Sequence, residues 1–263
     1  MAYTVLQLKG NLLPRAITGL IAIPAVIFII LQGHIHFQIM VLLAAIGLLR
    51  EWSNLSFGKT YHWLSIGCFT TILLNFFFPN IWSLLITLAG CAWLLYFKTF
   101  EWKKLIIISL GYLYITSATI VMLNTMPQLG SHFTLLIFVL VWSVDTGAFL
   151  VGKTIGGPKL APNISPNKTW SGFIGGIIFG LLTIHYLTRA INFNVSKDLW
   201  IFVIISILVA QIGDLLESWC KRYFKVKDSG SFLPGHGGML DRLDSLLAVS
   251  FVVAVFWYFG KLP

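Results

Sequence analysis

The sequence predicts an all-α, polytopic integral membrane protein of about nine transmembrane helices, its N-terminus cytoplasmic and its C-terminus outside. Three observations predict it. Of the 263 residues, 57% are hydrophobic and only 10% charged, whereas a soluble domain carries roughly 25% charged residues to keep its surface in water. Apolar runs follow one another along the whole chain with short breaks between them. Those breaks are basic in alternation, the pattern left by loops sorted to the two sides of a bilayer. An exterior this poor in polar groups must face lipid.

The runs can be justified in chain order. The first, 14–32, opens on Pro14-Arg15 and ends at the QGHIH break; the second, 35–50, closes on Arg50. The third and fourth, 62–78 and 80–97, flank the FPN break, and Lys98 ends the latter. Lys103 and Lys104 introduce 104–123. The run 132–152 carries Asp145 and leads into Lys153, and 170–188 stops before Arg189. The run 199–219 follows Lys197 and stops before Lys221-Arg222, and 243–260 lies between Arg242 and Lys261. Several runs are shorter than the ~20 residues that cross a bilayer squarely, so seven or eight spans stand as the alternative count.

Charge decides the orientation. With nine spans and a cytoplasmic start, only Arg189, Lys197 and Lys261 of the 18 Lys and Arg residues fall outside. One early span more or fewer would put a group of basic loops on the wrong side. The net charge of +9 serves orientation and attraction to anionic lipid head groups or, in part, binding of a polyanionic substrate, and position along the chain decides between these; no nucleic-acid partner is expected. Outside connections are short, whereas two inside loops, 152–169 and 220–242, are dense in Gly, Pro, Lys and Asp. With no linker, repeat or low-complexity tract, 1–263 forms a single membrane domain, hydrophobic helices over 1–130 and a catalytic half over 131–263. Cys68, Cys91 and Cys220 have no C-x-x-C spacing and count as small hydrophobes. No cleavable signal peptide is expected, because no A-x-A-like site follows a short apolar run.

The stretch GAFLVGKT, residues 147–154, fits the P-loop pattern G-x-x-x-x-G-K-[ST]. A P-loop follows a strand and opens a helix, yet this one follows the membrane run TLLIFVLVWSV and leads into Gly and Pro. The match is accidental. Asp145, just ahead of it, is more informative, since an Asp at a helix centre costs at least ~2.5–3.5 kcal/mol on insertion scales. About seven residues from the end of its run, it sits ~10 Å deep and should face a polar cavity. Asp214 and Glu217 lie at i and i+3, with Ser218 and Lys221 extending their face. That spacing alone suits an internal salt-bridge ladder or a metal site equally.

Residues 217–245, ESWCKRYFKVKDSGSFLPGHGGMLDRLDS, carry the densest chemistry. Glycines let backbone N–H groups approach phosphate, Lys and Arg supply charge, and Asp oxygens suit Mg²⁺. A helix beginning near Met239 would add N–H donors and place Asp241 and Asp244 one turn apart. A solvated basic connector explains the lysines but not Asp, Gly and Arg packed at such spacing. The loop GKTIGGPKLAPNISPNKTWSG repeats the style on the same side, and the two together point to a phosphate-rich ligand.

Residues 218–244 resemble the signature of the phosphatidate cytidylyltransferase family, the CDP-diacylglycerol synthases. The matching positions are Ser218, Lys221, Arg222, Lys227, Asp228, Pro234, His236, Gly237, Gly238, Asp241, Arg242 and Asp244. Cys220 stands where the family has an aliphatic residue, apolar for apolar. The resemblance extends to Asp145 and Gly147, Gly152-Lys153, Ser165-Pro166-x-Lys168-Thr169, and Gly213-Asp214. Before about residue 130 the spans match only as hydrophobic helices.

The resemblance implies transfer of CMP from CTP to phosphatidic acid with Mg²⁺, giving CDP-diacylglycerol and pyrophosphate in phospholipid biosynthesis. It implies that Asp214 and Asp241 hold the metal, with Asp244 and Asp145 in or near its coordination sphere. Lys221, Arg222, Lys227 and Arg242 would grip phosphates, and Lys153, Lys159, Ser165, Lys168 and Thr169 would help hold nucleotide or pyrophosphate. Glu217, Ser218, Asp228, His236, Gly237 and Gly238 complete the implied substrate-binding set, with His236 touching substrate or ordering its loop. A homodimer among membrane lipids, in a bacterial inner membrane with a cytoplasmic active site, is the implied setting. Participation of a second, monovalent cation stays open. The rival readings are a CTP-dependent polyprenol or phytol kinase, synthesis of the same CDP-lipid from an ether-linked archaeal phosphatidate analogue, and an ion-coupled transporter.

Overall fold

A computed structural model describes residues 21–57, 63–77, 101–191, 196–230 and 237–262. The helices are α1 (Ile21–Leu31), α2 (His34–Phe57), α3 (Trp63–Phe77), α4 (Trp102–Asn124), α5 (Ser131–Thr154), α6 (Trp170–Ala190), α7 (Lys197–Tyr223) and α8 (Leu240–Tyr258). A 3₁₀ turn, Met126–Leu129, follows α4. Five helical stretches, α2, α4 with its 3₁₀ turn, α5, α6 and α7, are long and apolar enough to cross a membrane. The chain is therefore a multi-pass membrane protein. Of the sequence-predicted spans, 80–97 and the start of 14–32 lie outside the described residues.

Local chemistry sets the helix ends. Pro127 and Gly130, the latter at φ +83°, stop the chain between α4 and α5. Thr169 caps α6 by accepting from the Gly172 N–H at 3.1 Å, and Ser196 caps α7 by accepting from Leu199 N–H at 3.1 Å. The helix expected over 35–50 continues to Phe57, because Glu51, Trp52 and Ser53 are buried by partners elsewhere in the chain. Trp52 donates its indole N–H to the Ile108 carbonyl at 3.1 Å, pinning α2 to α4.

One element departs from the all-α expectation. Residues 152–169 are not an open loop: α5 runs to Thr154, and β1 (Lys159–Ala161) pairs antiparallel with β2 (Ser165–Thr169). Pro158, Pro162 and Pro166 forbid a helix here. Ala161 accepts from the Ile164 N–H at 3.1 Å, closing a turn with Pro162 at its second position.

Helices α2, α3 and α4 pack together, α5 to α8 pack together, and α4–α8 and α2–α8 contacts join the two groups. Their buried apolar side chains form one contiguous core, with Tyr112, Phe133 and Phe202 among its largest members. Outward positions such as Phe28, Ile178 and Leu182 remain apolar and exposed, as lipid-facing positions must. Helices α5 and α6 pack most extensively among the described elements. A Cβ on Gly175 would lie 2.4 Å from the Val151 Cβ, so only glycine permits this approach.

Candidate active site

The C-terminal ends of α5 and α7 meet the N-terminal ends of α6 and α8 around a cavity of about 500 Å³. Antiparallel neighbours present alternating termini at one level, so this convergence places all four ends on one side of the bundle. Carboxylates enter from three helices: Asp145 from α5, Asp214 from α7, and Asp241 and Asp244 from α8. Lys153, Lys168 and Arg242 supply the basic lining, and Ser165, Thr169 and Gln211 are further polar groups on the wall. The polar cavity expected at Asp145 is present. Asp145 lies nine residues before the end of α5, roughly 14 Å deep at 1.5 Å per residue.

Two ion-pair systems organise the wall. Lys168 on β2 pairs with Asp214 at 2.6 Å, locking the hairpin onto α7. One helical turn further on, the Lys221 ammonium sits between Glu217 Oε2, at 2.6 Å, and Asp241 Oδ1. The Glu217–Lys221 stripe is thus a ladder reaching across to α8, while Asp214 on the same helix serves the cavity. Asp145, Asp214 and Asp244 are near enough for their charges to act on one another. Asp244 is 8% exposed, and its Oδ1 accepts from the Ser245 N–H at 2.7 Å. The Ser245 hydroxyl reaches toward Asp145 Oδ1 at 3.5 Å, joining α8 to α5.

Helix α8 begins where the sequence places it, with Met239 at its N-cap, and Asp241 and Asp244 stand one turn apart. Met239 supplies no side-chain cap. The cap comes instead from Glu51 on α2, which sequence reasoning missed. Glu51 is 3% exposed, its Oε1 accepts from Met239 N–H at 2.8 Å, and its Oε2 accepts from Leu240 N–H at 2.8 Å. The Ser229 hydroxyl is 3.0 Å from both Glu51 Oε2 and Asp241 Oδ2, so its one proton is shared between two carboxylates. Asp241 Oδ2 also accepts from the backbone N–H of Ser229 at 3.1 Å and of Gly238 at 3.3 Å. A buried carboxylate costs several kcal/mol to desolvate, and hydrogen bonds of about 1.5–3 kcal/mol each to a charged group can offset that. No local pattern around Glu51 announces this, because its partners lie 188 and 189 residues further along the chain.

The other sequence-predicted residues sit at varied distances from the chemistry. Thr169 uses its hydroxyl as the α6 cap and within a chain running through Ser171 to the Gly156 carbonyl. Arg222 donates to the Ile164 carbonyl at 3.2 Å and the Val226 carbonyl at 3.1 Å, bracing the hairpin turn. Lys159, Lys227 and Asp228 are exposed, and Ser218 is buried on α7; none of the four lines the cavity. Gly237 turns the chain at φ +84°. A Cβ on Gly238 would fall 1.8 Å from the Ser229 Oγ and 2.8 Å from Glu51 Oε2, so the loop closes only over glycine. His236 lies outside the described residues.

Among the described residues, no three His, Cys, Asp or Glu side chains converge to hold a metal ion by themselves. The donor set nonetheless fits Mg²⁺, which takes one or two carboxylates and completes its shell with phosphate oxygens and water. Asp214 and Asp244 bring carboxylates to the cavity. Both oxygens of Asp241 are engaged, so this residue could ligate a cation only after Lys221 moves away.

Carboxylates set against ammonium and guanidinium groups, at the ends of membrane helices, suit a membrane-embedded enzyme of phosphate chemistry. The profile of the cytidylyltransferase family matches residues 13–260, and the chain belongs to that family. It is 33% identical over 263 residues to a phosphatidate cytidylyltransferase of Brucella suis, covering 96% of this chain and 94% of the relative. A protein of the same description from Rickettsia typhi is 35% identical over 246 residues, 91% of this chain and 89% of the relative. One from Staphylococcus saprophyticus is 49% identical over 123 residues, 46% of each chain.

Proposed function

We propose that this chain transfers CMP from CTP to phosphatidic acid, forming CDP-diacylglycerol and pyrophosphate. The observation that carries the reading is the cavity itself, in which four carboxylates and three basic groups face one another within a membrane bundle. A nucleotidyl transfer between two anions needs that combination more than it needs a nucleophilic side chain. The lipid phosphate oxygen attacks the α-phosphorus of CTP; that P–O bond forms as the bond from the α-phosphorus to the bridging oxygen breaks, and pyrophosphate leaves. The phosphate is already anionic, so no triad is required.

The protein's task is to hold two mutually repelling polyanions in line. Lys153, Lys168 and Arg242 are placed to grip phosphates, with Ser165 and the hairpin closing over the nucleotide. Lys221 is held in reserve by Glu217 and Asp241, and an arriving phosphate competes with those two carboxylates for it. Asp214, with Asp244 and a released Asp241, would hold Mg²⁺, and Asp145 lies near. Bound Mg²⁺ would neutralise charge growing on the departing pyrophosphate. A second, monovalent cation could share the acidic wall.

The same proposal includes the topology. Nine spans with a cytoplasmic N-terminus put the cavity mouth at the cytoplasmic face and Lys261 outside, in a bacterial inner membrane, with lipids around a homodimer. CTP labelled at the α-phosphate tests the activity. Label entering phosphatidic acid supports it, whereas unlabelled lipid phosphorylated with release of CDP would make this a lipid kinase.

A further inference from the structure

We propose that Glu51 is a positioning residue for the reaction, through which the N-terminal helices set the place of Asp241. This rests on the cytidylyltransfer reading above. Glu51 does not line the cavity, yet its two oxygens take two of the N–H groups at the start of α8, those of Met239 and Leu240. Through the Ser229 hydroxyl it also shares a donor with Asp241 Oδ2. The position of Asp241 is thereby referred to α2, an element that contributes nothing else to the site.

The surroundings leave Glu51 little freedom. Its neighbour Trp52 is equally buried, bonded to α4 through Ile108 and set edge-on against Phe224 where the chain leaves α7. On the other side, a Cβ on Gly230 would come within 2.8 Å of Glu51 Oε1. The carboxylate lies between Ser229-Gly230 and the start of α8, while its neighbour Trp52 ties α2 to α4 and to Phe224. A charged acceptor is suited to this place, since three donors converge on two oxygens and the helix N-terminus is electropositive. Glutamine would turn an NH₂ group toward at least one of those donors.

The test uses purified full-length protein in lipid nanodiscs. The kcat and the KM for CTP are measured from α-labelled CTP with phosphatidic acid, for wild type, Glu51→Gln, Glu51→Asp and Ser229→Ala. The rise in melting temperature on adding Mg²⁺ is measured in parallel, with CTP present to draw Lys221 away and phosphatidic acid left out. Glu51→Gln is expected to lower kcat by about 10–100-fold, the range typical of residues that orient a ligating group. It should also diminish the Mg²⁺-induced rise in melting temperature. Glu51→Asp should recover part of both. Ser229→Ala, which removes only the shared hydroxyl, should show a smaller loss in the same direction and carries the comparison if Glu51→Gln does not fold. Variants that melt earlier but keep the wild-type kcat and the full Mg²⁺ response overturn the inference, leaving Glu51 a structural cap. Wild-type protein that labels no lipid overturns the activity itself.

Discussion

Lys168 and Asp214 form a 2.6 Å ion pair between β2 and α7 at the edge of the cavity. Each is also suited to a part of the substrate, Lys168 to a phosphate and Asp214 to a cation. The pair is partly open to water, and such pairs contribute only about 0–1 kcal/mol to stability. Its importance should therefore appear in binding. Lys168→Met is expected to raise the KM for CTP by about tenfold, the equivalent of one charge-assisted contact of ~1.5 kcal/mol, with little change in melting temperature. Initial rates across a CTP series check this.

Asp214→Asn keeps the shape of the side chain and removes its charge. Loss of one electrostatic partner at a reacting phosphate should lower kcat by about 10²–10³-fold, and Asp241→Asn should fall in the same range. Either protein retaining full CTP- and Mg²⁺-dependent labelling of lipid would sink the metal assignment.

The α5–α6 contact should tolerate no added volume. Gly175→Val forces atoms into the space of Val151, and overpacking of this kind costs about 1–3 kcal/mol. Gly67 on α3 has nothing within 4 Å of the position its Cβ would take, so Gly67→Ala is the matched control. A lowered melting temperature for Gly175→Val alone is expected, read by thermal unfolding in nanodiscs.

Topology is open to chemical labelling. With the native cysteines replaced by serine, Lys227→Cys should react with a membrane-impermeant maleimide only from the cytoplasmic side. Lys261→Cys should react only from the opposite side. Labelling of both from one side would refute the odd number of crossings after α7.

Much of the site was legible because its signals are local. An Asp in the middle of an apolar run must have a polar environment, and Asp145 has one. Met239-Leu-Asp-Arg-Leu-Asp carries the start of a helix in its own spacing, and α8 starts there. Side chains whose meaning depends on distant partners were less legible. Glu51 follows Arg50 at what looks like a helix end, which by itself suggests a solvated charge. Its burial depends on backbone donors 188 and 189 residues later. The engagement of Arg222 with carbonyls, and of Asp241 with Lys221, is likewise hidden, because composition gives the charges without saying which are already paired. The hairpin escaped because prolines exclude a helix without specifying what replaces it.

Asp145, some nine residues inside α5, also fixes which reactant must travel. A phospholipid head group sits at the leaflet surface, anchored by acyl chains that cannot leave the hydrocarbon. With the end of α5 near the leaflet surface, a floor roughly 14 Å below it would lie at or beneath that level, and a lipid entering sideways would not have to be lifted into water. The nucleotide, the soluble partner, would then be the one that descends. Dehydration on the way down is then part of its binding, and head-group depth, more than bulk lipid concentration, should govern how readily the two phosphates meet.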